Sequence, residues 1–554
     1  MSTAVAPPAV RTAEPARGAT LTGTGALVRF MLRQDRVRLT VWTASVVFFY
    51  TYFTFALNLF FDDPAAMQGR AALMETPAGI VMGGPGYGLD DYSTGVAMSN
   101  EGITWMVLAL AILSILHMVR HTRAEEESNR SELVRAAVVG RHAPAVAAII
   151  TLVLVQAVIA VLSALAMVAV GDLAVADSFA MTIGSGLSAL VFGAVALVVC
   201  QVVGHARTAT GVSLAVFAVA FVVRAVGDIR ELGGSTLSWF SPIAWAQQMR
   251  AFVDLRWWPV ALSVVAIVAL LVLAAVLASR RDFGGSLVET RAGRPDAAVT
   301  LRGPLAMAWL QQRWALLWSC LGLGLMWFAS GTMLPGIGDM IGDMVVDNPV
   351  LAQLFGDDPS QLAVGFISVL VLYAAVCCAA YAVVMAQRPK VEESSGRAEV
   401  VFSHPVSRHR WLGAQLAVAG LGTAVLLAVS VYGLWAGAAI AGWEDQGFGD
   451  YSVVVWTHLP ALAVFLGLVA ALYGWAPRLT GLGWALVAYT FVVGMFGQVL
   501  DLPDWVYRVS PFDGVPEVFS EESYAGDLAL LWGVAVVLTV LGFVGFRRRD
   551  LVTG

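Results

Sequence analysis

Two short acidic stretches hold the most concentrated chemistry in this sequence. Glu126-Glu127-Ser128-Asn129-Arg130-Ser131-Glu132-Leu133-Val134 recurs as Glu392-Glu393-Ser394-Ser395-Gly396-Arg397-Ala398-Glu399-Val400-Val401, with one residue inserted. Carboxylates in pairs can move protons or hold a metal. No HExxH motif or Ser/His/Asp grouping accompanies them at one membrane depth, so no catalytic residue and no metal ligand is assigned. The four cysteines, Cys200, Cys320, Cys377 and Cys378, sit in apolar runs and read as small buried hydrophobes. Each acidic stretch reads instead as a short amphipathic helix. Glu126, Glu127, Arg130 and Glu132 rim the first, and Glu392, Glu393, Arg397 and Glu399 the second. Leu133, Val134 and Val138, or Val400, Val401 and Phe402, supply an apolar face. Such a helix suits insertion into a groove of another protein. Nucleotide hydrolysis within the chain is excluded. A P-loop needs a lysine that reaches the β- and γ-phosphates, and Lys390, the single lysine, follows Pro389 outside any such motif.

The elements that position these stretches are membrane spans. Of 554 residues, 58% are hydrophobic and 13% charged, with a mean hydropathy of +0.76. So little polar surface suits lipid as the solvent. Runs free of Asp, Glu, Lys and Arg mark six spans near 39–61, 102–119, 143–171, 178–203, 208–223 and 258–279. Six more lie near 314–338, 362–387, 411–443, 451–477, 479–500 and 528–546. Helices are required, because lipid cannot satisfy free backbone groups and nothing here alternates like a barrel strand. The fold class expected is an all-α polytopic membrane protein of about twelve transmembrane helices in two six-helix repeats. The halves are 21–290 and 305–554, joined by a cytoplasmic linker at 291–304 and preceded by a disordered tail at 1–20. Each half ends in Arg-Arg-Asp, at Arg280-Arg281-Asp282 and Arg548-Arg549-Asp550. All basic residues except Arg70, Arg224, Arg230, Arg250, Arg256 and Arg508 fall on one side of this threading. That places both termini in the cytoplasm. The bias to Arg, Ala, Val and Gly fits a high-GC bacterial genome, hence a bacterial plasma membrane.

Further candidates flank the spans. Ahead of the first span of each half, Arg33 and Arg36, or Trp309 and Arg313, belong to amphipathic segments suited to lie on the inner leaflet. Ahead of each sixth span, Ser241-Pro242 and Ser510-Pro511 open moderately apolar stretches suited to extracellular re-entrant helices. Phe55, Asn58, Trp105, Met106 and Trp327 are candidates for the wall of an apolar substrate cavity. The spans are nearly free of ionisable groups, whereas an ion-coupled transporter usually buries some at mid-membrane. The driving force is therefore expected to come from outside the chain. A secondary transporter or an energy-independent channel is the alternative.

Taken together, the duplicated Glu-Glu-Ser…Arg-x-Glu element between the second and third spans, the interfacial elbows, six spans per half and the Ser-Pro elements resemble the fused, tandem permease of ABC-2 type exporters, a type V exporter fold. The resemblance is greatest to actinobacterial polyketide-antibiotic and multidrug exporters. It covers nearly all of the chain past residue 20. It implies that the acidic elements are coupling helices docked on a homodimeric ABC ATPase, two copies per permease chain. ATP and Mg²⁺ would then be bound by that partner and no cofactor by this chain. It also implies membrane lipid and a lipophilic small molecule as the other partners, outward transport, and no nucleic acid. One departure is that the first half has Val139-Gly140-Arg141 where the second has the more family-like His404-Pro405-Val406-Ser407-Arg408, so the two docking sites are expected to be unequal.

Overall fold

Twelve helices in the computed structural model are long and apolar enough to cross a membrane. The structure describes residues 19–60, 64–128, 139–281, 285–288, 296–298, 300–335, 359–443, 445–497, 503–519 and 525–551, and no strand occurs among them. The chain divides into two compact units at Ala292/Gly293.

In the first unit, α1 (Thr24–Gln34) precedes the first span, α2 (Arg36–Phe60). Two short helices follow, α3 (Pro64–Glu75) and α4 (Pro77–Met82). The second span is continuous from Thr94 to Glu127. Its central stretch is α5 (Ile103–Val119), with π-helical segments at Met98–Gly102 and Arg120–Ala124. The remaining spans are α6 (Ala143–Gly171), α7 (Val175–Val202), α8 (Ala206–Arg230) and α10 (Pro259–Arg280), with the short α9 (Pro242–Gln247) before the last.

The second unit repeats the order. Its first two spans are α11 (Pro304–Thr332) and α12 (Pro359–Ala386), followed by the short α13 (Arg388–Ser394) and α14 (Arg397–Phe402). Then come α15 (Arg408–Ile440), α16 (Phe448–Trp475), α17 (Leu482–Phe496), the single turn α18 (Asp504–Tyr507) and α19 (Ala525–Arg548).

These helices form because their sequences are apolar on every face, and a helix satisfies its own backbone in lipid. Several of the hydroxyls that remain turn back on the helix. Thr54, Ser114, Thr151 and Ser430 each donate to the carbonyl four residues earlier, at 2.7–2.8 Å. Each unit has its own apolar core, around Tyr50, Met106 and Phe192 in the first and Trp327, Tyr451 and Phe465 in the second. The sixth span of the first unit instead exposes Val265, Val268 and Val272, a lipid-facing stripe.

Lipid gives no hydrophobic drive for helix association, so close packing of small residues must supply it. In the second unit, α11 and α15 meet backbone to backbone. A Cβ at Gly437 would collide with the Phe328 carbonyl, and one at Gly331 with the Leu434 carbonyl. The seam between α16 and α19 is built the same way from Gly474 and Gly542.

One expectation is corrected. In the first unit the predicted elbow is a separate helix, α1, and Arg36 opens the following span. In the second unit no break separates elbow from span. Trp309 and Arg313 lie on the first turns of the continuous α11, which starts with Pro304 at its first position and needs no cap there. Arg33, Arg36, Trp309 and Arg313 are all exposed.

Gly437→Leu should lower the thermal midpoint of the detergent-solubilised chain by several degrees, since overpacking of this kind costs about 1–3 kcal/mol. Gly322→Leu on α11, where a Cβ meets nothing within 4 Å, should leave it unchanged. Equal midpoints for the two variants in a melting assay would remove the seam.

Candidate functional site: the coupling junctions

Glu126 and Glu127 end the long second-span helix of the first unit. The Arg281 guanidinium, just beyond the sixth span, forks onto the Glu126 carboxylate at 2.7 and 2.9 Å, and Arg123 Nη1 donates to the same group at 2.9 Å. Arg123 is itself buried, donating to the carbonyls of Gly204 at 2.7 and 2.8 Å and Gly285 at 2.8 Å. Glu127 Oε2 accepts the Ala206 N–H at 2.9 Å. That carboxylate therefore caps the first turn of α8, where unpaired N–H groups and the helix dipole favour negative charge. The end of the second span, the start of the fifth and the end of the sixth are thus joined through two glutamates. Arg130 and Glu132 lie outside the described residues, as do Leu133, Val134 and Val138.

The second unit closes the same joint with different chemistry. Glu393 is 5% exposed. Arg549, just past α19, forks onto it at 2.5 and 2.7 Å, and the Tyr473 hydroxyl donates to it at 2.7 Å. Burial alone would lower the Arg549 pKa, but the Glu393 carboxylate outweighs this and holds it above the usual arginine value. Arg549 also lies over the rings of Tyr473 and Phe546, at 4.8 and 5.3 Å from their centroids. Tyr473, Phe546, Trp411 and Ala398 form a small apolar cluster around the pair. Arg408 donates to the carbonyls of Phe546 at 3.1 Å and Arg549 at 2.6 Å, satisfying the frayed end of α19. Glu392 is paired within the segment, to Arg397 at 2.9 and 3.1 Å. Lys390 Nζ donates to Thr480 Oγ1 at 3.0 Å, just ahead of the fifth span, where the first unit uses Glu127.

This geometry revises the picture of acidic rims facing a partner. Glu126, Glu392 and Glu393 are engaged by arginines of their own chain. What α13 and α14 leave exposed is Val391, Ser394, Arg397, Glu399 and Val400. The register also differs between copies. Sequence matching aligns Glu126 with Glu392, but the arginine of each Arg-Arg-Asp ending reaches Glu126 in one half and Glu393 in the other. The two Arg-Arg-Asp endings and the two Glu-Glu pairs, duplicated in step, were the visible signal. Arg123 and Tyr473 had no signal beyond their type.

Comparison with known proteins gives the family. Residues 301–547 match the family model described as the C-terminal domain of the multidrug efflux system permease Rv1217c. The multidrug efflux system permease protein Rv1217c of Mycobacterium tuberculosis is 34% identical over 542 residues, covering 97% of each chain. The chain belongs to this family of multidrug efflux permeases.

At the opposite end of each unit the permease keeps both Ser-Pro elements. Pro242 and Pro511 lack an N–H, and the serine before each accepts instead from the next N–H, Ile243 and Phe512, both at 3.3 Å. Each element runs on to a phenylalanine with left-handed backbone, Phe252 and Phe519, both at φ 64°. Strain of that kind survives only where the surroundings enforce it. Phe252 donates its N–H to Asp177 at 2.8 Å, and Phe519 packs edge-on against Tyr451.

The spans are less free of charge than their sequence suggests. Arg224 and Asp228 on α8 are fully buried, and Arg224 caps the carbonyls of Ile80, Val81 and Gly83 at the end of α4. Glu101 lies inside the second span, forked by Arg70 at 2.5 and 2.9 Å and hydrogen-bonded by Tyr92 at 3.0 Å. Burial and then the Glu101 charge push the Tyr92 hydroxyl far above its ordinary pKa.

The proposed cavity residues differ in their surroundings. Met106 and Trp327 are buried in the cores of their own units, Phe55 and Trp105 are exposed, and Asn58 accepts from Thr94 Oγ1 at 2.7 Å. None of the five lines either described cleft, a 590 Å³ one beside Asp172 and Asp177 or a 240 Å³ one beside His458 and Glu517.

Arg549→Gln should destabilise the permease by roughly 3–5 kcal/mol by leaving Glu393 buried without its counter-charge. Adding Glu393→Gln should recover much of that loss. Melting of the single and double variants in detergent checks this, and simple additivity would remove the coupling.

Proposed function

We propose that this chain is the membrane-spanning subunit of an ATP-driven exporter of lipophilic compounds, powered by a separate soluble ATPase. One permease chain offers two coupling segments, so one chain would engage two ATPase copies. ATP and Mg²⁺ would be held by that partner. Both coupling segments and both chain termini would then face the cytoplasm, as the arginine distribution implies.

The observation that carries the proposal is the repeated ion-paired joint. In each half the segment after the second span is tied by an arginine fork to the residue just past the sixth span. A push on the segment is therefore delivered to a full-length span without passing through a flexible loop. Interlocked charges in a low-dielectric setting resist being pulled apart. The exposed Glu399 and Val400, one acidic and one apolar, suit a groove with a basic lip. The whole-chain relative, named as a multidrug efflux permease, supports a broad lipophilic substrate class.

The buried Arg224–Asp228 and Arg70–Glu101 pairs bear on the ion-coupled alternative, which needs titratable groups in the spans. Both pairs are tied into backbone or side-chain networks at one end of the first unit, which is a structural use of charge.

Val400→Asp combined with Glu399→Lys should abolish co-purification of the ATPase and substrate-stimulated ATP hydrolysis. Membrane insertion and melting should stay unchanged, because both side chains are exposed. Export from vesicles by the wild type should stop with vanadate and survive an uncoupler. The reverse pattern, or a wild-type permease that retains transport with no ATPase present, would overturn the proposal.

A further inference from the structure

Asp35, His117 and His121 converge in the first unit, where α1 ends and the second span passes beside it. One carboxylate oxygen and one ring nitrogen from each histidine lie within 4.8 Å of one another. The three residues are 3%, 1% and 2% exposed. Three metal-ligating side chains sharing one buried site are unexplained by anything in the coupling junction.

We infer that this cluster is a binding site for one transition-metal dication of the Zn²⁺ or Co²⁺ type. The donor set decides the class. Two imidazoles and one carboxylate suit such ions, whereas Mg²⁺ and Ca²⁺ prefer all-oxygen sites. The outer contacts are those of a metal site. His117 Nε2 lies 3.1 Å from the Ala148 carbonyl, and a ring that donates one N–H to a carbonyl keeps a lone pair on its other nitrogen. Arg120 holds Asp35 Oδ1 at 2.9 Å, leaving Oδ2 against His121 Nε2 at 2.8 Å.

A tetrahedral ion needs its ligand atoms roughly 3.3 Å apart. The ion takes the place of the hydrogen bond between His121 Nε2 and Asp35 Oδ2, and the ring proton of the neutral imidazole then sits on Nδ1. Water completes the fourth position. The nearby charges are Arg120, Arg38 and Glu125. With the ligand Asp35 they come to two cations and two anions, so the charge at the empty site sums to zero.

Position gives the site its consequence. The helix turns π-helical at Arg120, between the two histidines, and runs on into Glu125–Glu127. π-Helical turns concentrate at functional sites. A bound ion would pin the end of α1 to the helix that carries the first coupling segment. Among the described residues the second half has no counterpart. Gln312 precedes Arg313 as Asp35 precedes Arg36, and it bonds to Gln415 at 3.0 Å, which reaches Gln311 at 2.8 Å. Three amides build a neutral joint there, so the chain should bind one ion.

The test uses the untagged, full-length permease in detergent, stripped with chelator and titrated with Co²⁺. The expected result is one equivalent bound with the intense visible absorption of a tetrahedral Co²⁺ site, displaced by Zn²⁺, and a Zn²⁺-dependent rise in melting temperature. His117→Gln, which breaks no ion pair, and His121→Gln should each weaken binding by more than about 100-fold. His458→Gln, in the other half, should not. Should His121→Gln fail to fold, His117→Gln alone decides. Absence of the Co²⁺ spectrum, or a spectrum that survives in His117→Gln, would mean adventitious binding only and would overturn the assignment.

Discussion

A charge removed from water has to meet an opposite charge or a ring of dipoles, and in this permease those meetings occur at the ends of helices. Glu126 with Arg281, Glu393 with Arg549, Asp35 with Arg120 and His121, Arg70 with Glu101, and Arg224 with the end of α4 all join elements distant in sequence. The apolar centres of the spans cannot do this. Leucine and valine have no preference for another helix over a lipid tail. Glycine seams bring backbones together along the helices, and polar knots fix which ends belong together.

That division of labour explains why the duplicated halves have diverged where they have. The helical plan tolerates change as long as each knot closes. At the joint after the second span the first half uses Arg123, Glu126 and Arg281, and the second Tyr473, Glu393 and Arg549. At the start of the fifth span a glutamate caps a helix in one half, and a lysine bonds a threonine in the other. At the first span, Asp35 meets a histidine of the second span, whereas Gln312 of the second half meets Gln415 of the third. α8 carries the buried Arg224 and Asp228, whereas the corresponding α17 has no charged residue. Among the described residues the first half thus ties more of its helix ends with ion pairs, and the second adds amide and aromatic contacts to its Glu393–Arg549 pair.

The sequence by itself determined the class of the molecule. Long uncharged runs admit no solvent but lipid, lipid admits only helices where no strand-like alternation occurs, and a period of matched landmarks requires two similar halves. The acidic segments, the Ser-Pro elements and the lack of a P-loop were legible for the same reason, since each depends on residues adjacent in the chain. What only the tertiary structure decided is which partner each charge takes. Glu126 and Arg281 are 155 residues apart, and Glu393 and Arg549 are 156 apart. Reading along the chain, such glutamates look like a free surface, and Arg224 like part of a loop. Whether a charge faces water or another helix depends on how helices turn and pack, and apolar sequences that look alike on every face carry little information about that rotation.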